Sequence, residues 1–151
     1  MNAYKIPFRE TEDEVIDKIV KQFKFEPNDL FIDIGCGNGI VLEQIMKCVD
    51  IECIGIEIDL KYYNEAVQRL SNCKKVKLLC DYLRTCELIF PDRRCLYFIA
   101  WTKTYISNFD FRRITKSGDY IFAFKHEIPN MRCCAVYVTT PYNNLYVYKI
   151  M

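Results

Sequence analysis

The sequence predicts an α/β fold, a seven-stranded and mostly parallel sheet with helices on both faces and an antiparallel hairpin at the C-terminal end. Three observations predict it. Short apolar runs alternate with stretches of helical period between residues 11 and 124, the pattern of successive βα units. The first run, Leu30-Phe31-Ile32-Asp33-Ile34, breaks into Gly35-Cys36-Gly37-Asn38-Gly39 and resumes at helical spacing with Ile40, Val41 and Leu42. Two alternating runs, 133–140 and 145–151, flank Pro141-Tyr142-Asn143-Asn144 and read as a hairpin.

Bulk composition bounds the rest. A chain of 151 residues, 51% hydrophobic and 27% charged, is expected to form one globular domain over 1–151. A net charge of +1 gives no global basic field, so nucleic acid is not the favoured partner, although a local patch stays open. Nine cysteines stand at 36, 48, 53, 73, 80, 86, 95, 133 and 134 without a C-x-x-C pair, so neither a disulfide framework nor a metal site is expected. They read as small free hydrophobes, which points to a reducing, intracellular and cytoplasmic setting. No run has the length and character of a signal or a membrane span.

Each element has its own justification. Thr11 stands three residues before Glu14 and ahead of Val15, Ile16, Ile19, Val20 and Phe23, a capping-box pattern opening a helix over about 11–24. Pro27-Asn28-Asp29 then turns into the strand 30–34, and Val41, Leu42, Ile45 and Met46 mark a helix over about 38–48. A second strand covers 53–59, a helix 60–71 and a third strand 76–80. Pro91-Asp92-Arg93-Arg94 is a turn before the strand 95–100; residues 103–116 form a short helix or loop, and 120–124 the fifth strand.

The chain has five glycines, and three lie in the loop after the first strand. Without a Cβ, a glycine there takes unusual dihedrals and lets a ligand approach the backbone. The dinucleotide pattern Gly-x-Gly-x-x-Gly fails at Ile40, and no Lys-Ser/Thr pair follows for a phosphate loop. An acid in the preceding strand, Asp33, would repel a pyrophosphate but suits a ligand bearing an ammonium group, such as S-adenosylmethionine. Glu57 lies twenty residues past Gly37, where βαβ nucleotide folds place a carboxylate for ribose hydroxyls; alone it would read as an ordinary strand-end acid.

Asp33-Ile-Gly35-Cys-Gly37-Asn-Gly39 resembles the first motif of the seven-stranded, Rossmann-like S-adenosylmethionine-dependent methyltransferases. The resemblance implies that Asp33, Gly35, Cys36, Gly37, Asn38, Gly39, Glu57 and Ile58 bind the cofactor. It further implies that Asp81 accepts a hydrogen bond from the adenine amino group, with Tyr82 or Leu83 against the ring, or else Asp81 merely starts a turn. Thr11 is a candidate for closing the cofactor site. The first and fourth strands flank the point where strand order should reverse, so Trp101 and Thr102 would face the transferring methyl; the single tryptophan reads alternatively as a core anchor. Phe8, Trp101 and Tyr105 are candidates for an aromatic acceptor channel. His126, the single histidine, reads as a surface residue.

In layout the chain is similar to the small lysine methyltransferases typified by the enzyme for the c subunit of ATP synthase. The matching features are Pro7-Phe8-Arg9-Glu10-Thr11, Ile54-Gly55-Ile56-Glu57-Ile58-Asp59, Tyr62-Tyr63 and Leu145-Tyr146-Val147-Tyr148. The similarity implies a protein substrate methylated on lysine. The apolar N-terminal segment of the membrane-anchored members is absent, so no membrane substrate is expected. Ala100-Trp101-Thr102-Lys103 stands where amino-methylating relatives carry Asp/Asn-Pro-Pro-Tyr. Two other readings stay open. One is an RNA or small-molecule methyltransferase, with Lys74-Lys75, Arg93-Arg94 and Arg112-Arg113 as phosphate contacts. The other is a non-catalytic binding module.

Overall fold

The computed structural model describes residues 9–82, 90–140 and 143–151. In chain order these form α1 (Arg9–Gln22), β1 (Leu30–Ile34), α2 (Ile40–Cys48), β2 (Glu52–Ile56), α3 (Leu60–Arg69), β3 (Val76–Leu79) and β4 (Cys95–Ile99). Then come α4 (Lys103–Asn108), a 3₁₀ turn at Phe111–Arg113, β5 (Tyr120–Phe124), β6 (Ala135–Thr140) and β7 (Asn143–Lys149). The strands make one sheet in the order β3-β2-β1-β4-β5-β7-β6. β1 to β5 are parallel to one another, whereas β7 runs antiparallel to both β5 and β6. The seven-stranded α/β architecture is the one the sequence predicts.

β1 and β4 lie at the centre, and every residue of both is buried. That is why they read as continuous apolar runs rather than alternating ones. Alternate side chains feed two cores. Phe31, Leu96, Phe98 and Phe122 meet Ile16 and Ile19 of α1 and Leu42 and Ile45 of α2 on one face. Ile32, Ile34, Tyr97 and Ile99 meet Ile106, Phe111 and Ile128 on the other. Sheet order reverses between β1 and β4, and their carboxyl ends open on the place where this class of sheet holds ligands.

Several boundaries differ from expectation. α1 begins at Arg9, because Arg9 and Glu10 are good helix formers, so Thr11 sits inside the first turn rather than at the cap. α2 begins at Ile40, with Gly39 at φ 86° as its N-cap. β2 stops at Ile56, since the side chain of Asp59 accepts from the backbone N–H groups of Lys61 (2.9 Å) and Tyr62 (3.5 Å) and starts α3. The stretch 103–116 resolves into the short α4 and the 3₁₀ turn, each opened by a side-chain cap, Thr102 and Asp110.

The amino ends of the strands are fastened by charge. Arg94 donates to both oxygens of Asp29 at 2.7 Å and lies over the rings of Phe23 and Tyr120 at 5.1 and 5.4 Å. Its hydrogen bonds to Asp29 raise the guanidinium pKa above its ordinary value. Arg93 donates to the carbonyls of Asn28 (3.0 Å) and Asp29 (3.1 Å), and Lys75 pairs with Asp50 at 2.5 Å. The Arg93-Arg94 pair is thus committed to the fold, at the end of the sheet opposite the glycine loop.

Candidate functional site at the carboxyl ends of the strands

The glycine loop is held in a shape that only its glycines take easily. Gly35, Gly37 and Gly39 have φ of 84°, 55° and 86°, all in the left-handed region. The N–H groups of Gly35 and Cys36 both donate to the carbonyl of Ile56, at 2.7 and 3.0 Å, which pins the loop to the end of β2. A Cβ at Gly39 would stand 3.2 Å from that of Ala66 and 3.1 Å from Leu70 Cδ1, so α3 packs directly on the loop. At Gly37 a Cβ would meet nothing within 4 Å. That open space lies just before the N-terminus of α2, whose first backbone N–H groups have no partner within the helix.

Glu57 stands beside the loop. It is 6% exposed, and its carboxylate spans two turns: Oε1 accepts from the Gly37 N–H at 2.8 Å and Oε2 from the Asp59 N–H at 2.9 Å. Each oxygen keeps a further lone pair for another donor. Asp33 is buried in β1 opposite Gly55 of β2 and Phe98 of β4. Burial, then the charges of Asp33 and Glu57, push the Cys36 thiol well above its ordinary range. The two carboxylates and the loop therefore share one electrostatic environment. Cys36 itself stays a neutral thiol, unsuited to be a nucleophile.

Ile58, Asp81 and Tyr82 gather on the neighbouring rim. The thiol of Cys80 lies 3.9 Å from the carbonyl of Ile58, joining the ends of β2 and β3, and Asp81 Oδ1 accepts from the Tyr82 N–H at 2.7 Å. Ile58 and Tyr82 are large exposed hydrophobics, 44% and 55% exposed. Leu83 and Phe8 lie outside the described residues, and of Thr11 only its place in α1 is described.

Trp101 is anchored in the fold by its neighbours. Its Nε1–H donates to the carbonyl of Ile34 at 2.9 Å, and its ring stacks on Phe111 (5.4 Å, 26°) and meets Phe109 edge-on at 5.3 Å. A Cβ on Gly35 would stand 3.7 Å from this nitrogen, so the indole borders the glycine loop at the switch point between β1 and β4. Thr102 is used structurally: its hydroxyl accepts from the Tyr105 N–H at 3.4 Å and caps α4. Tyr105 is 64% exposed beside it. His126 is half-buried in the turn after β5.

Four contributors escaped the sequence reading. Gly55 lies under the loop, where a Cβ would fall 2.6 Å from Leu42 Cδ1, 2.8 Å from Leu78 Cδ2 and 2.9 Å from Cys36 Sγ. A glycine inside an apolar strand was its available signal. Arg69 donates to the Asn38 carbonyl at 3.0 Å and to Glu43 at 3.3 Å, tying α3 to the loop; one arginine in a helix gives no such signal. Phe109 and Phe111 fix Trp101, a tertiary contact with no periodic trace.

Comparison with known proteins places this geometry. The family model described as "Histone methylation protein DOT1" matches residues 5–123. A probable cobalt-precorrin-6B C(15)-methyltransferase (decarboxylating) of Archaeoglobus fulgidus is 38% identical over 69 residues, which is 46% of this chain. The chain spans 40% of the length of that curated relative. Among solved structures, a SAM-dependent methyltransferase from Aquifex aeolicus aligns over 98% of this chain and 95% of its own, with TM-score 0.75 and 18% identity. An RNA methyltransferase from Salinibacter ruber, in complex with S-adenosyl-L-homocysteine, aligns over 96% and 91% with TM-score 0.70 and 14% identity. The fold is that of the S-adenosylmethionine-dependent methyltransferases, and S-adenosylmethionine is the cofactor this fold carries.

Proposed function

We propose that this chain, which belongs to the family described as histone methylation protein DOT1, methylates a lysine side chain of a protein. Family and fold make it an S-adenosylmethionine-dependent methyltransferase. The family's description supports a protein acceptor, as does the layout shared with the c-subunit lysine methyltransferases. The observation that carries the lysine reading is the fixed aromatic wall at the end of β4, where Trp101 is held by Ile34 and Phe111 with Tyr105 exposed beside it.

The cofactor supplies a methyl group already activated on a positively charged sulfur. The residues of the chain have to bind, orient and exclude water. Glu57 is assigned to the ribose hydroxyls, because its two oxygens are fixed by one backbone N–H each beside the glycine loop and each keeps a lone pair for a further donor. Asp33 is assigned to the cationic end of the cofactor and Asp81 to the adenine amino group, with Ile58 and Tyr82 on the ring faces. Gly35 to Gly39 give the backbone surface, and Thr11 stands as a candidate for closing it. The acceptor amine reacts only when deprotonated, and a low-dielectric aromatic wall favours its neutral form. Phe8 is a further candidate for that wall.

A second reading, a small-molecule acceptor, is favoured by the 38% identical stretch shared with the precorrin methyltransferase. Nucleic acid is less favoured because Arg93 and Arg94 are bound to the fold. Among the described residues no helix is long and apolar enough to cross a membrane. Eight described cysteines are free thiols, which supports a reducing, intracellular setting.

Transfer of labelled methyl from S-adenosylmethionine to a cell lysate tests the proposal. Label that protease releases, that ribonuclease leaves in place and that hydrolyses to methyl-lysine is the expected result. Label confined to nucleic acid or to the low-molecular-weight fraction would overturn it.

A further inference from the structure

The glycine loop has a second brace besides Glu57, and it comes from the last residue of α3. The peptide joining Asn38 to Gly39 is held at both ends. Its carbonyl accepts from Arg69 Nε at 3.0 Å, and its N–H donates to the Cys36 carbonyl at 3.0 Å. The same guanidinium reaches Glu43, in the first turn of α2, through Nη1 at 3.3 Å, with the two side chains 29% and 26% exposed. Ala66 and Leu70, on either side of Arg69 in the chain, pack on Gly39. Arg69 is therefore set between the loop and α2.

These contacts close a circuit. Glu57 accepts from Gly37 on one oxygen and from Asp59 on the other, and Asp59 caps the start of α3. The far end of α3 then returns through Arg69 to Asn38. The N–H groups of Gly35, Cys36, Gly37 and Gly39 all have acceptors within the protein. Among the described residues, those of Asn38 and Ile40 have none. They flank the one peptide that Arg69 holds. Because each peptide unit is planar, rotating that peptide would redirect the donor on either side of it. A hydrogen bond from a charged donor resists such rotation more firmly than a neutral one.

Resting on the assignment of the loop to the cofactor, we propose that Arg69 is a positioning residue for S-adenosylmethionine. By fixing the Asn38 carbonyl it holds the Asn38 and Ile40 N–H groups in place for the cofactor, acting through the loop backbone. A guanidinium suits the task because its planar fork serves the loop and Glu43 at once, which a lysine ammonium does with less definition.

Calorimetric titration of the full chain with S-adenosylmethionine, beside Arg69→Met, Arg69→Lys and Glu43→Gln, tests this. Arg69→Met is expected to raise the cofactor Kd roughly tenfold or more, the effect of one hydrogen bond from a charged group. Glu43→Gln, which leaves the bond to Asn38 in place, should change Kd less than about twofold on the same reasoning. The amide signals of Asn38 and Ile40 in cofactor-free Arg69→Met should move, while those of β4 and β5 keep their native positions. Should Arg69→Met not fold, Arg69→Lys decides on the same terms. Native affinity in the Arg69 variants, or a loss that Glu43→Gln reproduces in full, would overturn the inference and leave the cofactor site standing. No binding by the native chain at millimolar cofactor would overturn the cofactor assignment and this inference with it.

Discussion

Replacing Glu57 by Gln probes the carboxylate on which loop shape and cofactor binding both depend. The native side chain accepts one backbone N–H on each oxygen, from Gly37 at 2.8 Å and Asp59 at 2.9 Å. The amide keeps one acceptor and turns a donor toward the other N–H. A lost hydrogen bond to a buried charged group costs about 1.5–3 kcal/mol. For a chain of this size, at about 2–4 °C per kcal/mol, that lowers the melting temperature by roughly 3–12 °C in the absence of cofactor. The second effect is on ligand linkage. At a cofactor concentration 100 times Kd, the native chain gains ~2.7 kcal/mol from binding. A variant whose Kd is raised ~10–100-fold by loss of the ribose contacts gains only ~0.4–1.4 kcal/mol at the same concentration. Thermal unfolding with and without S-adenosylmethionine reads both numbers. An unchanged apo melting temperature together with a full cofactor-induced shift would refute the reasoning. A lower melting temperature with the full shift retained would reduce Glu57 to a loop brace and remove its ribose role.

Gly37→Ala places a methyl in the open space at φ 55°; the expected result is ~1–2 kcal/mol of backbone strain and a cofactor Kd raised tenfold or more, by calorimetry. Gly55→Ala forces a Cβ to within 2.9 Å of three side-chain atoms and should cost ~1–3 kcal/mol in urea unfolding. Trp101→Phe keeps the stacking but drops the 2.9 Å bond to Ile34, costing about 1 kcal/mol of stability and raising acceptor KM while cofactor affinity holds. Burial raises the Cys53 thiol from 9.0 to about 12, so the folded state keeps a proton that the unfolded chain releases. Stability is then full below pH 9.0 and falls as pH rises toward about 12. The slope is ~1.4 kcal/mol per pH unit for each such thiol, and urea unfolding of Cys53→Ala between neutral and alkaline pH should show a shallower decline.

How much of this was legible beforehand depends on the range of the interaction. β1 and β4 were readable because both faces are buried and every position is apolar apart from Asp33. The glycine loop was readable because left-handed dihedrals leave a residue-type signature at Gly35, Gly37 and Gly39. Glu57 was singled out by spacing, and it accepts from the Gly37 N–H although the strand stops one residue before it. Thr102 was placed toward the acceptor, and its hydroxyl instead caps α4, a local competition that Ser and Thr enter at any helix start. Arg69 and the pair Phe109 and Phe111 act through contacts between elements, which leave no periodicity to read.

Calorimetric titration of the purified chain with S-adenosylmethionine tests the cofactor site most directly, since every assignment from Asp33 to Trp101 depends on it. The account predicts saturable heat with one cofactor per chain, and binding weakened at least tenfold by Asp33→Ala or Glu57→Ala in folded protein. No binding at millimolar cofactor, or binding that both substitutions leave intact, would contradict it.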